Sequence, residues 1–312
     1  MNRRQWLKFS TLAGLGLVTR TWADTFSNST IESLKALPKS PTMPVMFIGH
    51  GSPMNAINEN SFNKSWRKIG KQFGEGSDAK WTKPSAILVI SAHWQTTGGI
   101  GVLASEEPET IYDFGGFPQK LYDQTYPAPG SLTTAEVTKQ LLQTQRHTPN
   151  TPIILDEDRG FDHGVWSVLL PMFPKADIPV LQISLDRNLP HNIHYDLAKQ
   201  LSALRERGVL IIGSGNMVHN LYAERMPNSK PYDWTLEFEQ KMTDWIEHRD
   251  DQSIIKISQT MPKLTSLAHP THEHFLPLIY TLGAKSEKDK ISFFNTGYGS
   301  SAIAMRSVIF EA

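Results

Sequence analysis

Three short apolar runs that each lead out to a histidine constrain this chain more than any other feature. Met43-Pro44-Val45-Met46-Phe47-Ile48 passes into Gly49-His50-Gly51-Ser52-Pro53, and Ala86-Ile87-Leu88-Val89-Ile90-Ser91-Ala92 passes into His93-Trp94. Val209-Leu210-Ile211-Ile212-Gly213-Ser214-Gly215-Asn216-Met217-Val218 reaches His219. Runs this brief, closed by glycine or proline, read as buried strands rather than helices. In open α/β sheets the carboxyl ends of strands are where ligands bind. One histidine at such a place is an ordinary turn residue, and among 11 His a pair could arise by chance. Three strand-terminal imidazoles place a cluster along one edge of one sheet.

Between these runs the pattern alternates. Apolar spacing predicts helices over residues 62–73, 132–144, 190–206 and 236–247, with a further helix starting near Thr271. Short strands are expected over 98–104, 153–156 and 178–185, and a last one over 291–296. Residues 74–83 read as a loop, 112–118 as an irregular aromatic loop, and 160–166 as a glycine-punctuated loop opening a helix. Alternating strands and helices without an internal repeat predict one α/β domain over residues 43–312. Its central sheet is mostly parallel or mixed, flanked by helices, with a metal site at the strand carboxyl ends.

Charge excludes some partners. Lys+Arg and Asp+Glu number 31 each, so no bulk field recruits nucleic acid or an anionic membrane. Cysteine is absent, which restricts any metal site to His, Asp, Glu and backbone ligands. The first residues stand apart: Arg3-Arg4-Gln5-Trp6-Leu7-Lys8 precedes the apolar stretch 11–18, and Thr21-Trp22-Ala23 offers a cleavage site. Residues 1–23 resemble a twin-arginine signal peptide, which implies the twin-arginine export machinery as partner and a periplasmic location. The stretch 11–18 is too short to span a bilayer, so the mature form has no stable membrane span. Residues 24–42 are polar and proline-bearing and read as a linker.

Six blocks, in order, carry a family resemblance. They are His50-Gly51-Ser52-Pro53-Met54, Ser91-Ala92-His93-Trp94, Tyr112-Asp113-Phe114-Gly115-Gly116-Phe117-Pro118, Asp162-His163-Gly164-Val165-Trp166, Gly215-Asn216-Met217-Val218-His219-Asn220-Leu221 and Glu273-His274-Phe275-Leu276-Pro277-Leu278. From about Pro44 to Phe310 the chain resembles the 4,5-DOPA-extradiol-type dioxygenases of the class III extradiol ring-cleavage superfamily. The resemblance implies ring opening of a catechol, DOPA-like or otherwise substituted, with O2 to a muconic-semialdehyde-type product. Such chemistry uses one divalent metal, Fe2+ for turnover or Zn2+ in a resting form, held on one face and open on the other.

By resemblance His50 and His93 are metal ligands and the C-terminal block gives the third. The resemblance favours His274 there, with Glu273 the alternative, and since adjacent helix residues point about 100° apart the two are not expected to ligate together. His219 has two readings, acid–base catalyst or fourth ligand of a zinc form. His163 is read as a catalytic pocket residue binding substrate or dioxygen, or else as part of a helix cap. Trp94, Asp113, Phe114, Tyr122 and Tyr126 are expected to line the aromatic pocket. Phe117 and Trp166 read as packing. His269 and His272 read as solvent-facing or as supports behind the ligands. His147, His191, His194 and His248 lie in polar stretches and carry no expected role. Two competing readings fit the same histidines: a zinc-dependent hydrolase, and a non-catalytic periplasmic binder of metal or catechol.

Overall fold

The computed structural model describes residues 28–74, 79–144, 151–225 and 229–312. The expected signal peptide, part of the 74–83 loop and His147 lie outside the described residues. The strands are β1 (Val45–Gly49), β2 (Ala86–Thr96), β3 (Ile100–Leu103), β4 (Ile153–Asp156), β5 (Val180–Asp186) and β6 (Val209–Gly215). They continue as β7 (Val218–His219), β8 (Lys290–Phe294), β9 (Tyr298–Ser300), β10 (Ile303–Ala304) and β11 (Ser307–Glu311). Among the described residues eight of these form one sheet in the order β4-β3-β5-β2-β6-β1-β11-β8, and β7-β10-β9 form a small second sheet. The four central strands β5, β2, β6 and β1 run parallel, β11 runs antiparallel beside β1, and β8 pairs antiparallel with β11. The sheet is therefore mixed, with a parallel centre.

Burial on both faces explains why the central strands are continuous apolar runs. On β1, Val45 and Phe47 join one core cluster, and Met46 and Ile48 join the other. The first cluster takes its cover from helices Leu132–Gln143, His191–Leu201, Asp233–Glu247 and Leu276–Ala284. The second takes Trp66 and Ile69 from helix Ser61–Gly70, and Val165, Trp166 and Leu169 from helix His163–Met172. Because β1, β2 and β6 share one direction, their carboxyl ends open on one edge, and His50 and His93 emerge there. No helix among the described residues is long and apolar enough to cross a membrane.

The structure departs from the sequence expectation in four places. Residues 28–42 are not simply linker: helix Asn28–Lys35 packs on the domain through Thr30 and Leu34, a buried stripe that Leu37 continues just past its end. Its polar neighbours hid that stripe. The third histidine run breaks after Gly215, so His219 belongs to β7 in the second sheet. No helix starts at Thr271. Residues 271–275 turn instead, with the Phe275 and Leu276 N–H groups donating to His272 O at 3.0 Å, and the helix begins at Leu276. Strand 291–296 is not the last either. After β8, two strands of two or three residues lead into β11, which pairs with β1 from Val45↔Phe310 to Phe47↔Val308.

Candidate metal centre

The turn after β1 is built to expose one imidazole. Gly51 has φ +58°, a conformation that suits glycine. A side chain on Gly49 would strike Met305 O at 2.7 Å. His50 is buried, and its Nδ1 lies 2.9 Å from Ser214 Oγ on β6. The Ser214 hydroxyl donates to Gly164 O at 2.5 Å, so its oxygen accepts from His50 Nδ1–H. That fixes the tautomer and leaves His50 Nε2 as a free lone pair.

The same device recurs at His274, and His93 has a looser, charge-based version of it. His93 Nδ1 faces Asp113 Oδ2 at 3.3 Å, and His274 Nδ1 faces Glu273 Oε1 at 3.0 Å. A carboxylate only accepts, so the His274 ring carries its proton on Nδ1 and presents Nε2, while Asp113 draws the Nδ1 edge of His93 by charge. His50 Nε2 and His93 Nε2 stand 3.2 Å apart. Two nitrogens bound about 2.0–2.1 Å from one metal at tetrahedral or right angles lie roughly 3 Å apart, so this spacing suits a shared ion. The rings of His50, His93 and His274 have centroids 4.9–5.2 Å from one another.

His163 and His219 complete a cluster of five. His163 opens its helix, and Asp113 Oδ1 accepts from its N–H at 2.9 Å and from its Nδ1 at 3.0 Å. Asp113 thus braces two imidazoles at once. The ligand atoms of His50, His93 and His163 lie within 4.8 Å of one another, and so do those of His219, Glu273 and His274. His219 stacks flat on His274, with centroids 3.4 Å apart and planes 6° apart. Burial and neighbouring imidazoles push His50 and His274 well below the usual imidazole range. The same causes, burial first, bring His219 to about 3. Neutral imidazoles without thiolates are the donor set that a divalent first-row metal takes.

Glu273 and His274 do not sit on a helix, so the helical argument against both ligating together falls. Glu273 sits on the turn, and its carboxylate is engaged by the ring of His274. Of the expected pocket residues, Phe114 is at the site, its ring 5.5 Å from His163, and Tyr122 lies one ring further out, 5.3 Å from Phe114. Two expectations are corrected. Tyr126 is fully buried in the core, with its hydroxyl donating to Phe173 O at 3.2 Å. Trp94 is buried against the backbone of Gly101, where a Cβ would meet the indole at 2.5 Å, and Arg159 covers its other side. Both rings are occupied by protein. Trp166 and Phe117 pack as expected.

His269 neither faces solvent nor backs a ligand. It is buried and donates from Nε2 to Met217 O at 2.9 Å, pinning the turn between β6 and β7. His194 is buried too, against the Tyr280 hydroxyl at 3.1 Å, and His191 meets His272 at 2.9 Å. Sequence reading missed the hub beneath the site. Asp162, fully buried, accepts from Ser91 Oγ, Gln182 Nε2 and Arg159 Nη2 at 2.6, 2.5 and 2.9 Å. The signal that pointed there was an acid beside a histidine at a glycine-flanked helix start.

A mixed α/β sheet that gathers five imidazoles at one edge defines a metal-dependent enzyme. Residues 44–310 match the family described as the catalytic LigB subunit of aromatic ring-opening dioxygenase, and the chain belongs to that family, whose members are extradiol dioxygenases. It is 40% identical over 274 residues to the 4,5-DOPA dioxygenase extradiol of Escherichia coli (strain K12), spanning 86% of this chain and 95% of that protein. It is 36% identical over 271 residues to the protein of the same name from Beta vulgaris, spanning 85% and 96%. A crystal structure of an uncharacterized protein from Escherichia coli K12 superposes with a TM-score of 0.69 at 35% identity, covering 86% of this chain and 99% of that one.

Proposed function

We propose that this enzyme opens the ring of a catechol with O2 beside its two hydroxyls, giving a muconic-semialdehyde-type product. His50, His93 and His274 would hold one divalent metal, Fe2+ for turnover and Zn2+ in a resting form. The observation that carries this reading is that Nδ1 of His50 and His274 is bonded to Ser214 and Glu273, that Nδ1 of His93 faces Asp113, and that the Nε2 atoms of His50 and His93 stand 3.2 Å apart. Glu273 then orients His274 rather than ligating, the usual partner of a metal-bound imidazole. When bound, the metal would chelate both catechol oxygens and provide a place for O2.

The remaining residues act on the substrate. His219, neutral at pH 7, takes a proton from a catechol hydroxyl and returns it as the ring opens. In a zinc form the same imidazole would close a fourth position. His163, held by Asp113, keeps Nε2 free to bind substrate or dioxygen. Phe114 and Tyr122 offer the catechol an aromatic edge. The paired arginines at the N-terminus support export by the twin-arginine route to the periplasm, since that route carries folded proteins with metal already in place. Exchange of Arg3 and Arg4 for lysine tests it: normal export and processing of that variant would contradict the assignment.

The functional test is anaerobic loading with Fe2+ followed by a panel of catechols under air. Oxygen uptake with a yellow semialdehyde is expected. A protein that instead hydrolyses esters or amides when loaded with Zn2+, and leaves catechols intact with Fe2+, would be a hydrolase.

A further inference from the structure

We propose that a cavity on the opposite edge of the sheet from the metal centre binds a small aromatic carboxylate. The cavity has a volume of about 890 Å³, within the range of about 300–1,000 Å³ that small-molecule sites occupy. Lys83, just ahead of β2, and Ile178, just ahead of β5, line it, so it opens at the amino ends of those strands. His93 lies towards the other end of β2. None of the five clustered histidines lines the cavity. His163 and Met172 stand at opposite ends of one helix, about 14 Å apart along its axis, and only Met172 reaches the cavity. The site is therefore separate from the metal centre, and the inference stands without the ring-opening reading.

Two features define the ligand. The floor is apolar and aromatic: Ile57, Leu170 and Met172 line it together with Phe73 and Phe173, whose rings meet edge to face at 5.5 Å. A flat apolar body packs well on such a floor. The rim is basic. Among the described residues four cations line the cavity, Arg67, Lys71, Lys83 and Lys175, against one carboxylate, Asp177, although the whole chain carries 31 charges of each sign. Lys83 is paired with Asp177 at 2.7 Å, and Arg67 with Glu59 at 2.8 Å. Lys71 and Lys175 are exposed and have no ion pair among the described residues. Helices Ser61–Gly70 and His163–Met172 cross closely here, since a Cβ on Gly70 would strike Met172 O. That crossing brings Lys71, the residue after Gly70, and Lys175, three after Met172, to one rim. Two unpaired ammonium groups above an aromatic floor suit a ring that carries a carboxylate.

Calorimetric titration of the protein as isolated tests the site with three probes. They are 2-naphthoate, its uncharged counterpart 2-naphthalenemethanol, and octanoate, which has the carboxylate without the ring. The wild type should bind 2-naphthoate saturably and more tightly than either of the others. Lys71→Glu combined with Lys175→Glu should weaken 2-naphthoate about 10- to 100-fold and leave the alcohol unchanged. Both substitutions are at exposed positions away from the metal centre, so metal content and melting temperature should stay those of the wild type. Loss of the acid with the alcohol retained upholds the site. Undiminished binding of 2-naphthoate by the double variant would put the acid elsewhere, on the metal for example, and overturn it. Equal affinity for acid and alcohol, tighter binding of octanoate, or no saturable binding to the wild type would overturn it as well.

Discussion

Ser214 shows how one hydroxyl in an apolar strand can set the chemistry of a site. It accepts from His50 Nδ1 while donating to Gly164 O, so it fixes both the tautomer of the imidazole and its aim. Ser214→Ala should weaken metal binding about 10- to 100-fold, as loss of such partners does, when affinity is measured by competition with a chelator. If only the melting temperature moves, Ser214 is a packing residue. His219 makes a sharper case. With its acid–base role removed in His219→Phe, turnover should fall about 10²–10⁴-fold while iron stays bound. Iron lost in proportion to activity would make it an obligatory ligand instead. His50 and His93 were legible because each goes with an apolar run that has a single way to lie in a sheet, whereas the run before His219 breaks after Gly215 and hands that residue to the second sheet. Ser214 and Asp162 were not. Periodicity marks a residue as buried but cannot show which histidine or arginine reaches it across the fold.

At the scale of elements, the glycines of β6 admit the C-terminal block. A Cβ on Gly213 would lie 2.4 Å from Pro277 O, and one on Gly215 would lie 2.2 Å from His274 O. The backbone that carries His274 can approach β6 only because those positions have no side chain. Gly215→Ala should therefore cost about 1–3 kcal/mol by overpacking and also loosen metal, read as a lower midpoint in urea and lower metal content. An unchanged metal content in a destabilised variant would separate packing from the site. Helix Asn28–Lys35 invites a second test. Leu34 is fully buried, so Leu34→Ala should cost about 2–5 kcal/mol, whereas a leucine in a true linker would cost almost nothing. The long elements were legible because burial on both faces or on one stripe leaves a clear trace. The short strands β9 and β10 were not, since two or three residues have no period to read. With them went the place of β11, which closes the sheet beside β1 only through a long-range pairing.

Over the whole molecule, the histidines away from the metal make stability depend on pH. Burial, and then the nearby His191, bring His194 to about 4, against 6.5 for an exposed imidazole. The unfolded chain takes up this proton near pH 6.5, while the folded chain refuses it until about pH 4. The folded state is thus fully favoured above pH 6.5 and loses stability as pH falls through that window, by about 3 kcal/mol for His194. His194→Gln should flatten the fall of urea midpoints between pH 6.5 and 4, and an identical slope would show that other groups govern it. A core that covers both faces of the sheet's central strands should also keep the chain folded without metal, unlike a zinc finger. That lets the centre be emptied and refilled. The most direct measurement loads the emptied protein with Fe2+ under anaerobic conditions, admits labelled O2 with a catechol, and follows gas uptake and product mass together. Uptake equal to the catechol consumed, with a product heavier by both oxygen atoms, is the predicted result. Full iron occupancy with the catechol unchanged, or oxidised to a quinone without gaining oxygen, would contradict it.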